Sequence, residues 1–264
     1  MKVAIVNNPK TQSLAVKEKI LELFLERGIL LDQDQPDIVI SIGGDGTLLH
    51  AFHAYQDQLD RVRFIGLHTG HLGFYTDWKD NQVAELVDAI SRDQGEHVSY
   101  PLLEVRLVHS DGLSSRRLAL NESAIRRYEG TMTCEVYIRD ELFEVFRGDG
   151  LCVSTPTGST GLNKSLGGAV VHPRLQTLQL TEIASLNNRV FRTLSSSMLI
   201  APDEWIVLRP GDGEISGVYL FVDQYSAPLE EVKQIEFRIA EERIHFARYR
   251  HLHFWNRVKT SFIG

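Results

Sequence analysis

An aspartate surrounded by glycines is the first part of this sequence that could do chemistry. Residues 43–47 read GGDGT and follow the apolar run 37–40 after two intervening residues, so Asp45 lies just past a predicted buried strand. Glycines let a ligand approach backbone amides that a Cβ would shield, and such amides bind phosphate. Because an acid repels phosphate, we expect Asp45 to be a general base for an attacking hydroxyl or to hold a bridging Mg²⁺. The alternative is a tight turn in which Asp45 is only the N-cap of the next helix.

A second loop combines glycines with hydroxyl side chains. Residues 147–168 read RGDGLCVSTPTGSTGLNKSLGG, in which a predicted strand opens into the hydroxyl-rich part. The stretch from Gly158 approaches the P-loop pattern, but Asn163 stands where the second glycine belongs, so a true P-loop is rejected. The remaining hydroxyls would supply compact donors, and the N-terminus of a following helix would favour an anion. A helix cap explains this loop alone equally well, whereas two such loops in one chain favour a polyphosphate or a dinucleotide.

The elements that carry the first loop alternate between strand and helix. Apolar spacing predicts strands at 2–6, 37–41 and 63–68 and helices at 14–25, 48–55 and 81–91, with Gly28 as a helix stop. Such alternation predicts a parallel, Rossmann-like sheet covered by helices on both faces. Ligands bind at the carboxyl ends of parallel strands, which is where the GGDGT loop would lie.

The hydrophobic period changes to alternation after about residue 100. Six short runs punctuated by turn residues predict a mainly antiparallel β domain, and they cover residues 102–109, 116–125, 133–146, 204–210, 217–224 and 233–240. The aromatic tail 251–264 predicts a short helix that packs back against the first domain. We therefore expect an α+β protein with an α/β domain at 1–100, joined by 245–264, and a β-rich domain at 101–244.

Bulk composition excludes several classes of partner. The formal net charge is −7 and no run of lysines or arginines exceeds two, which disfavours a nucleic-acid or anionic membrane surface. The cysteines, Cys134 and Cys152, follow no metal-binding spacing and suit a reducing compartment. The apolar start is too short for a signal peptide, and no window approaches the roughly 18 apolar residues of a membrane span. We expect a cytoplasmic protein.

Taken together, the motifs resemble those of bacterial NAD kinases, the ATP/polyphosphate-dependent NAD kinase family. GGDGT at 43–47, Asn121-Glu122 and GDGLCVSTPTGST at 148–160 occur in the order and approximate spacing of that family, and segments 66–77 and 217–224 are also similar. GGDGT alone is shared with 6-phosphofructokinases, diacylglycerol kinases and sphingosine kinases, whereas the whole set is specific. The resemblance implies a phosphofructokinase-like α/β domain, a β-rich NAD-binding domain and a homotetramer.

The resemblance also implies a reaction and a set of site residues. ATP, with Mg²⁺ or another divalent cation, would phosphorylate the adenosine-ribose 2'-hydroxyl of NAD to give NADP, with Asp45 as the proton acceptor. The ATP phosphates would hold most of the metal, and no protein metal site is expected. Phosphate contacts are implied for Gly43, Gly44, Gly46 and Thr47. NAD contacts are implied for Gly46, Phe74, Tyr75, Asn121, Glu122, Asp149, Thr160, Gly161, Leu162, Ser165 and Asp223.

The resemblance implies a more specific role for two of these residues. Phe74 would line the adenine pocket, and Asp149 would face the nicotinamide end, in a neighbouring subunit. Tyr75 could contact nucleotide or fill the core, and the sequence does not choose between them.

The family pattern is broken at one place. Family members usually have GSTAYN where residues 158–163 read GSTGLN, so Leu162 replaces an aromatic residue and supplies neither a stacking face nor a hydroxyl. Weaker NAD affinity or a shifted ligand preference would follow. Three alternative functions stay open: a lipid kinase of the diacylglycerol type, a phosphofructokinase-like sugar kinase and a non-catalytic dinucleotide sensor. The negative net charge disfavours the lipid kinase, and a sugar kinase would need arginines for a sugar phosphate. Retention of Asp45 disfavours the sensor.

Overall fold

The structure is a computed structural model in which residues 1–70, 73–211, 217–250 and 253–264 are described. Residues 71 and 72 of the family-like segment 66–77, and the first two residues of the tail predicted to be helical, therefore lie outside the described residues. The chain divides into two compact units, 1–99 with 243–264 (the first unit) and 100–242 (the second unit). That each unit is an independent domain stays a prediction. Within the described ranges, no helix is long and apolar enough to cross a membrane.

Helices are concentrated in the first unit. They are α1 Thr11–Arg27, α2 Asp45–Ala54, α3 Val83–Ser91, α4 Leu162–Ser165 and α5 Phe254–Phe262, with 3₁₀ turns at Gln56–Gln58, Asp80–Gln82 and Thr157–Thr160. The longest, α1, buries Ser13, Val16, Ile20 and Phe24, a spacing of three or four residues that presents one face to the core. It ends at Gly28, whose φ of 65° is the left-handed C-cap that the glycine predicts.

Strands run through both units. They are β1 Lys2–Asn7, β2 Leu30–Leu31, β3 Ile38–Ile42, β4 Arg63–His68, β5 Trp78–Lys79, β6 His97–His109, β7 Ser114–Ala119, β8 Glu122–Arg127, β9 Met132–Ile138, β10 Glu141–Gly148, β11 Gly150–Ser154, β12 Leu178–Ile183, β13 Met198–Ile200, β14 Ile206–Pro210, β15 Val218–Val222, β16 Tyr225–Pro228 and β17 Val232–Ala247.

The sheet of the first unit is parallel, as predicted. Strands follow the order β2, β1, β3, β4, β5, and each neighbouring pair is parallel. Every residue of β3 is buried, as expected for a central strand covered on both faces. The core beneath it combines Ile20 and Phe24 of α1 with Leu86 and Ile90 of α3. The GGDGT loop leaves the carboxyl end of β3, the edge where ligands bind in such sheets.

The second unit is mainly antiparallel, which confirms the predicted fold class. One sheet has the order β13, β12, β11, β8, β15, β16, with antiparallel pairing throughout. A second antiparallel group joins β10, β9, β14 and the first part of β17. Side chains from both groups form one core, in which Ile125 and Leu220 meet Phe146 and Phe237.

Several details of the predicted β domain were wrong, including the run 133–146, which a turn at 139–140 divides into β9 and β10. The run 116–125 is not one strand, because β7 ends at Ala119 and β8 starts at Glu122 in another sheet. Strand β12 was missed because all but one of its residues are buried, so it lacks the alternation that identifies a half-exposed strand. The break at 120–121 is functionally interesting, since it places Asn121 at a turn between two sheets.

Candidate active site

Asp45 points away from its own helix. Gly44 is the N-cap of α2 and Asp45 is the first helical residue, so the alternative that Asp45 only caps the helix is wrong. Its carboxylate instead accepts two main-chain hydrogen bonds, from Phe74 N–H to Oδ2 at 2.8 Å and from Tyr75 N–H to Oδ1 at 3.0 Å. Two consecutive amides of the loop that precedes β5 thus orient both carboxylate oxygens. Each oxygen keeps a lone pair for another partner.

The glycines near Asp45 serve different purposes. A Cβ on Gly43 would collide with the Thr47 hydroxyl, and a Cβ on Gly73 would collide with the Asp45 carboxylate. A Cβ on Gly44 would meet no described atom within 4 Å, and the residue is exposed. Gly43 and Gly73 are therefore required by internal packing, whereas Gly44 leaves the start of α2 open to a ligand. Gly46, also exposed, lies in the first turn of the same helix.

The loop that holds Asp45 is itself held by the C-terminal segment. Arg257 of α5 donates a hydrogen bond to the Phe74 carbonyl oxygen and forms an ion pair with Asp77. The Phe74 ring lies 5.6 Å from that of Phe262. The Tyr75 ring is buried and stacks on Phe246 at 6.0 Å, so its side chain fills the core, the second of its two predicted options. Arg257 was not predicted as a site residue, because nothing near it in the sequence resembles a motif.

In the second unit, Asp223 organises the main chain around Asn121 and Glu122. It occupies the turn between β15 and β16 with φ of 50°, a conformation that few residues other than glycine adopt. Its carboxylate accepts N–H bonds from Leu120 at 2.9 Å, Asn121 at 2.8 Å and Glu122 at 3.2 Å. Its own N–H donates to the Glu122 carbonyl oxygen at 2.9 Å. Asp223 therefore fixes the backbone conformation of the Asn121-Glu122 segment.

The carboxyl of Glu122 is enclosed and incompletely bonded. Its Oε2 is buried and has no hydrogen-bond partner among the described residues. Burial, reinforced by the negative charge of Asp223, raises the pKa of Glu122 to about 8. A Cβ added to Gly161 would lie 3.2 Å from this Oε2, so Gly161 leaves room beside it. Buried polar atoms without partners are rare in folded proteins, and a ligand hydroxyl would complete this one.

The hydroxyls of the second loop are mostly turned inward. Thr155 and Thr157 both donate to the Leu120 carbonyl oxygen, at 2.6 and 3.1 Å, and Ser159 donates to Pro156 at 2.7 Å. All three side chains are buried. The prediction that they offer donors to an anion was therefore wrong, because they bond the main-chain carbonyl oxygens of Leu120 and Pro156 instead. A Cβ on Gly158 would collide with the Asn121 carbonyl oxygen, so the loop packs directly on the Asn121-Glu122 segment.

The helix after this loop is too short to bind an anion at its N-terminus. α4 consists of the four residues Leu162–Ser165, a single turn, whereas a macrodipole requires several aligned turns. The predicted dipole contribution from this helix was wrong. Thr160 is half-buried, with its hydroxyl 3.3 Å from the Thr157 carbonyl oxygen, and Ser165 is exposed. These two residues keep the exposure that ligand binding requires.

Leu162 and Asp149 both lie near the paired strands β11 and β12. Leu162 packs against the small cluster of Ala124, Cys152 and Ile183. Asp149 is exposed and precedes β11, in which Ser154 pairs with Glu122. At about 3.3 Å per residue, the five residues from 149 to 154 separate Asp149 from Glu122 by about 17 Å along the strand. The structure therefore brings Thr160, Gly161 and Leu162 near the Asn121-Glu122 segment and leaves Asp149 apart.

Comparisons with known proteins cover most of the chain. Residues 28–95 match the model of the ATP-NAD kinase N-terminal domain, and residues 120–248 match that of the ATP-NAD kinase C-terminal domain. The chain is 55% identical over its full length to the NAD kinase of Lacticaseibacillus paracasei and covers 99% of it. It is 53% identical over its full length to the NAD kinase of Enterococcus faecalis and again covers 99%.

Solved structures show the same fold at lower identity. A crystal structure of yeast NADH kinase complexed with NADH has a TM-score of 0.84 at 21% identity, with coverage of 100% of this chain and 87% of the other. An NAD kinase from Archaeoglobus fulgidus in complex with ATP has a TM-score of 0.75 at 23% identity, with 94% of both chains covered.

Proposed function

This chain belongs to the NAD kinase family, and on that premise we propose that it transfers the γ-phosphate of ATP to the adenosine-ribose 2'-hydroxyl of NAD to give NADP. The observation that carries the proposal is the Asp45 carboxylate, held by two amides beside the open start of α2. A binding protein gains nothing from a fixed acid next to a phosphate site, whereas a kinase needs one to accept a proton.

In the proposed reaction, the Asp45 carboxylate accepts the proton of the 2'-hydroxyl while the oxygen of that hydroxyl attacks the γ-phosphorus of ATP. The bond from that phosphorus to the β–γ bridging oxygen breaks, and ADP leaves with the electron pair. The two amides fix the carboxylate, so no reorientation is needed during transfer. Exposed amides at the start of α2, beside Gly44, are suited to the phosphate oxygens.

A divalent cation would enter with ATP. The described part of the chain contains no cluster of three or more His, Cys, Asp or Glu side chains able to hold a metal ion. We propose that a Mg²⁺ is coordinated mostly by phosphate oxygens and water. When bound, the ion neutralises phosphate charge, and this chain positions the phosphates and the base.

For NAD, we propose that Asn121 and Glu122 bind the adenosine ribose. The unpaired Oε2 of Glu122 supports this role, since a ribose hydroxyl would complete its hydrogen bonding. Phe74 is proposed to line the adenine pocket, and Thr160 and Ser165 to lie near bound nucleotide. Asp149 is proposed to face the nicotinamide end in a homotetramer. We propose the cytoplasm as the compartment.

The test is incubation of the purified protein with Mg-ATP and NAD, followed by enzymatic detection of NADP. We expect NADP to form in proportion to enzyme and time, and absence of NADP would refute the proposal. Thermal-shift measurements with NAD separate the alternatives: a sensor would be stabilised by NAD without turnover, and a lipid kinase would not respond to NAD. A parallel reaction with polyphosphate tests the donor range.

A further inference from the structure

A buried arginine of the C-terminal helix contacts the loop that orients Asp45. Arg257 lies in α5, and its side chain is only 8% exposed. Its Nη1 donates to the Phe74 carbonyl oxygen, and its Nη2 pairs with Asp77. A guanidinium can make both contacts at once because its N–H groups form a planar fork.

One peptide group joins Arg257 to Asp45. The carbonyl of Phe74 and the N–H of Tyr75 belong to the same peptide unit, which is planar and rigid. The carbonyl end accepts from Arg257, and the N–H end donates to Asp45 Oδ1 at 3.0 Å. Any rotation of this unit would change both bonds. A cation at the carbonyl also polarises the peptide and strengthens the hydrogen bond at its other end.

The neighbouring ring contacts restrain the loop differently. Phe262 touches the Phe74 ring, and Phe246 stacks on the Tyr75 ring. These contacts fix side chains, whereas Arg257 fixes the main-chain group whose direction decides where Asp45 points. Loss of Arg257 would therefore leave the loop packed but free to rotate its 74–75 peptide.

We propose that Arg257 is a positioning residue for phosphoryl transfer, which acts through the 74–75 peptide to set the direction of the Asp45 carboxylate. The proposal rests on the proposed function, because it concerns the same base. It assigns to a residue far along the chain, in a tail without catalytic motifs, a role in turnover. A merely structural Arg257 would anchor the tail and affect stability alone.

The first experiment compares Arg257→Gln with a matched control. Arg63→Gln breaks another buried ion pair of the first unit, with Asp93, whose side chains are 13% and 5% exposed. We expect Arg257→Gln to lower kcat about tenfold with KM for NAD within about twofold, since misorientation of a base affects the transition state. Arg63→Gln is expected to lower Tm and leave kcat per folded molecule unchanged. Equal kcat losses in both variants would overturn the proposal.

A double-mutant cycle tests whether Arg257 acts through Asp45. In an Asp45→Asn background, Arg257→Gln is expected to cost less than about twofold in kcat, because the group it positions is already disabled. A full and additive tenfold loss would overturn the proposal. Asp77→Asn keeps an acceptor for Arg257 and leaves the Phe74 contact, so its kcat is expected to stay within about twofold of wild type.

A variant that fails to fold does not end the test. If Arg257→Gln is unfolded, Arg257→Lys takes its place, because a single ammonium pairs with Asp77 and releases the Phe74 carbonyl. The folded lysine variant is expected to lose about threefold in kcat, and unchanged kcat would overturn the proposal. Wild-type enzyme that makes no NADP would refute the proposed function and this inference together. Active wild type with fully active Arg257 variants would refute this inference alone.

Discussion

The two units each contain an acid at a candidate site, and the acids differ in how many hydrogen bonds they receive. In the first unit, Asp45 accepts two main-chain N–H bonds. In the second unit, Asp223 accepts three, while Glu122 keeps a buried oxygen without a partner among the described residues. Donors stabilise the charged form of a carboxyl, and burial without donors destabilises it.

The hydrogen bonds and burial of an acid determine the role to which it is suited, so Asp45, Asp223 and Glu122 are suited to three different roles. A carboxylate bonded on two sides but still accessible is suited to accept a proton. A carboxylate saturated by three amides, such as Asp223, is suited to shape the backbone. An enclosed carboxyl with a free oxygen, such as Glu122, is suited to bind a ligand hydroxyl. Variants of each acid test this division of roles.

Replacement of Asp45 by asparagine tests the proton acceptor. Asp45→Asn keeps the size of the side chain but removes its basicity, so kcat is expected to fall about 10²- to 10⁴-fold. One of the two main-chain N–H groups would face the NH₂ group of asparagine instead of an acceptor, so Tm is expected to fall modestly, whereas the thermal shift caused by NAD should change little. Asp88→Asn, an exposed acid of α3, is the control with wild-type turnover. Near-normal turnover of Asp45→Asn would remove Asp45 from the role of base.

Replacement of Asp223 by alanine tests the shaping role. The amides of residues 120–122 would lose their acceptor, so the free energy of unfolding is expected to fall by about 3 kcal/mol. KM for NAD should rise roughly tenfold as the Asn121-Glu122 segment loses its shape. Urea unfolding and initial rates measure the two effects. Asp111→Ala, which removes one exposed turn bond to Leu113 N–H, is the control. A stable variant with unchanged KM would contradict the division.

The pH dependence of stability tests the enclosed carboxyl. The folded-state pKa of Glu122, about 8, lies above its ordinary value of 4.5, so the neutral form is the one that the folded state favours. This group's contribution to stability is complete below about pH 4.5 and is lost as the pH rises to about 8. Glu122→Gln is always neutral, so it should lie within about 1 kcal/mol of wild type near pH 5 and be more stable by about 4 kcal/mol near pH 8.

Urea unfolding of wild type and Glu122→Gln at both pH values measures this difference. Asp111→Asn, an exposed acid in the same unit, should show no such pH-dependent gain. Parallel unfolding curves for wild type and Glu122→Gln at the two pH values would show that Glu122 is ionised in the folded state. The interpretation of Glu122 as an enclosed, neutral carboxyl would then be wrong.

Restoration of the usual aromatic residue has the smallest expected effect. Leu162→Tyr would add a stacking face beside the second loop, and an aromatic contact of about 0.7 kcal/mol lowers KM for NAD about threefold. Leu162→Met, which fills similar space without a ring, should leave KM unchanged. Identical KM values for all three proteins would place position 162 outside the NAD site and confine its role to packing against Ala124, Cys152 and Ile183.

Sequence patterns predicted those parts of the fold that depend on local spacing. The parallel sheet followed from alternating strands and helices, and the GGDGT loop followed from a buried strand that ends in glycines. The helix of the tail was also predicted, and it is present as α5. In each case neighbouring residues carry the information, because periodicity and turn chemistry act over a few positions.

Features that depend on distant residues could not be predicted. The amides that orient Asp45 come from residues 74 and 75, and Arg257 lies farther still along the chain. The hydroxyls of Thr155 and Thr157 were expected to face a ligand, but the Leu120 carbonyl oxygen lies within their reach. A hydroxyl bonds the nearest unsatisfied acceptor, and only the folded chain shows which acceptor that is.

The return of residues 243–264 to the first unit has a consequence for synthesis. A ribosome makes residues 1–99 first, then all of the second unit, and only afterwards the segment that carries Arg257. The nascent first unit must wait, with the Asp45 loop unsupported, until this segment emerges. Units of this kind complete their packing after translation of the inserted part. A chain that stops before residue 257 would therefore contain Asp45 but lack the arginine that positions it.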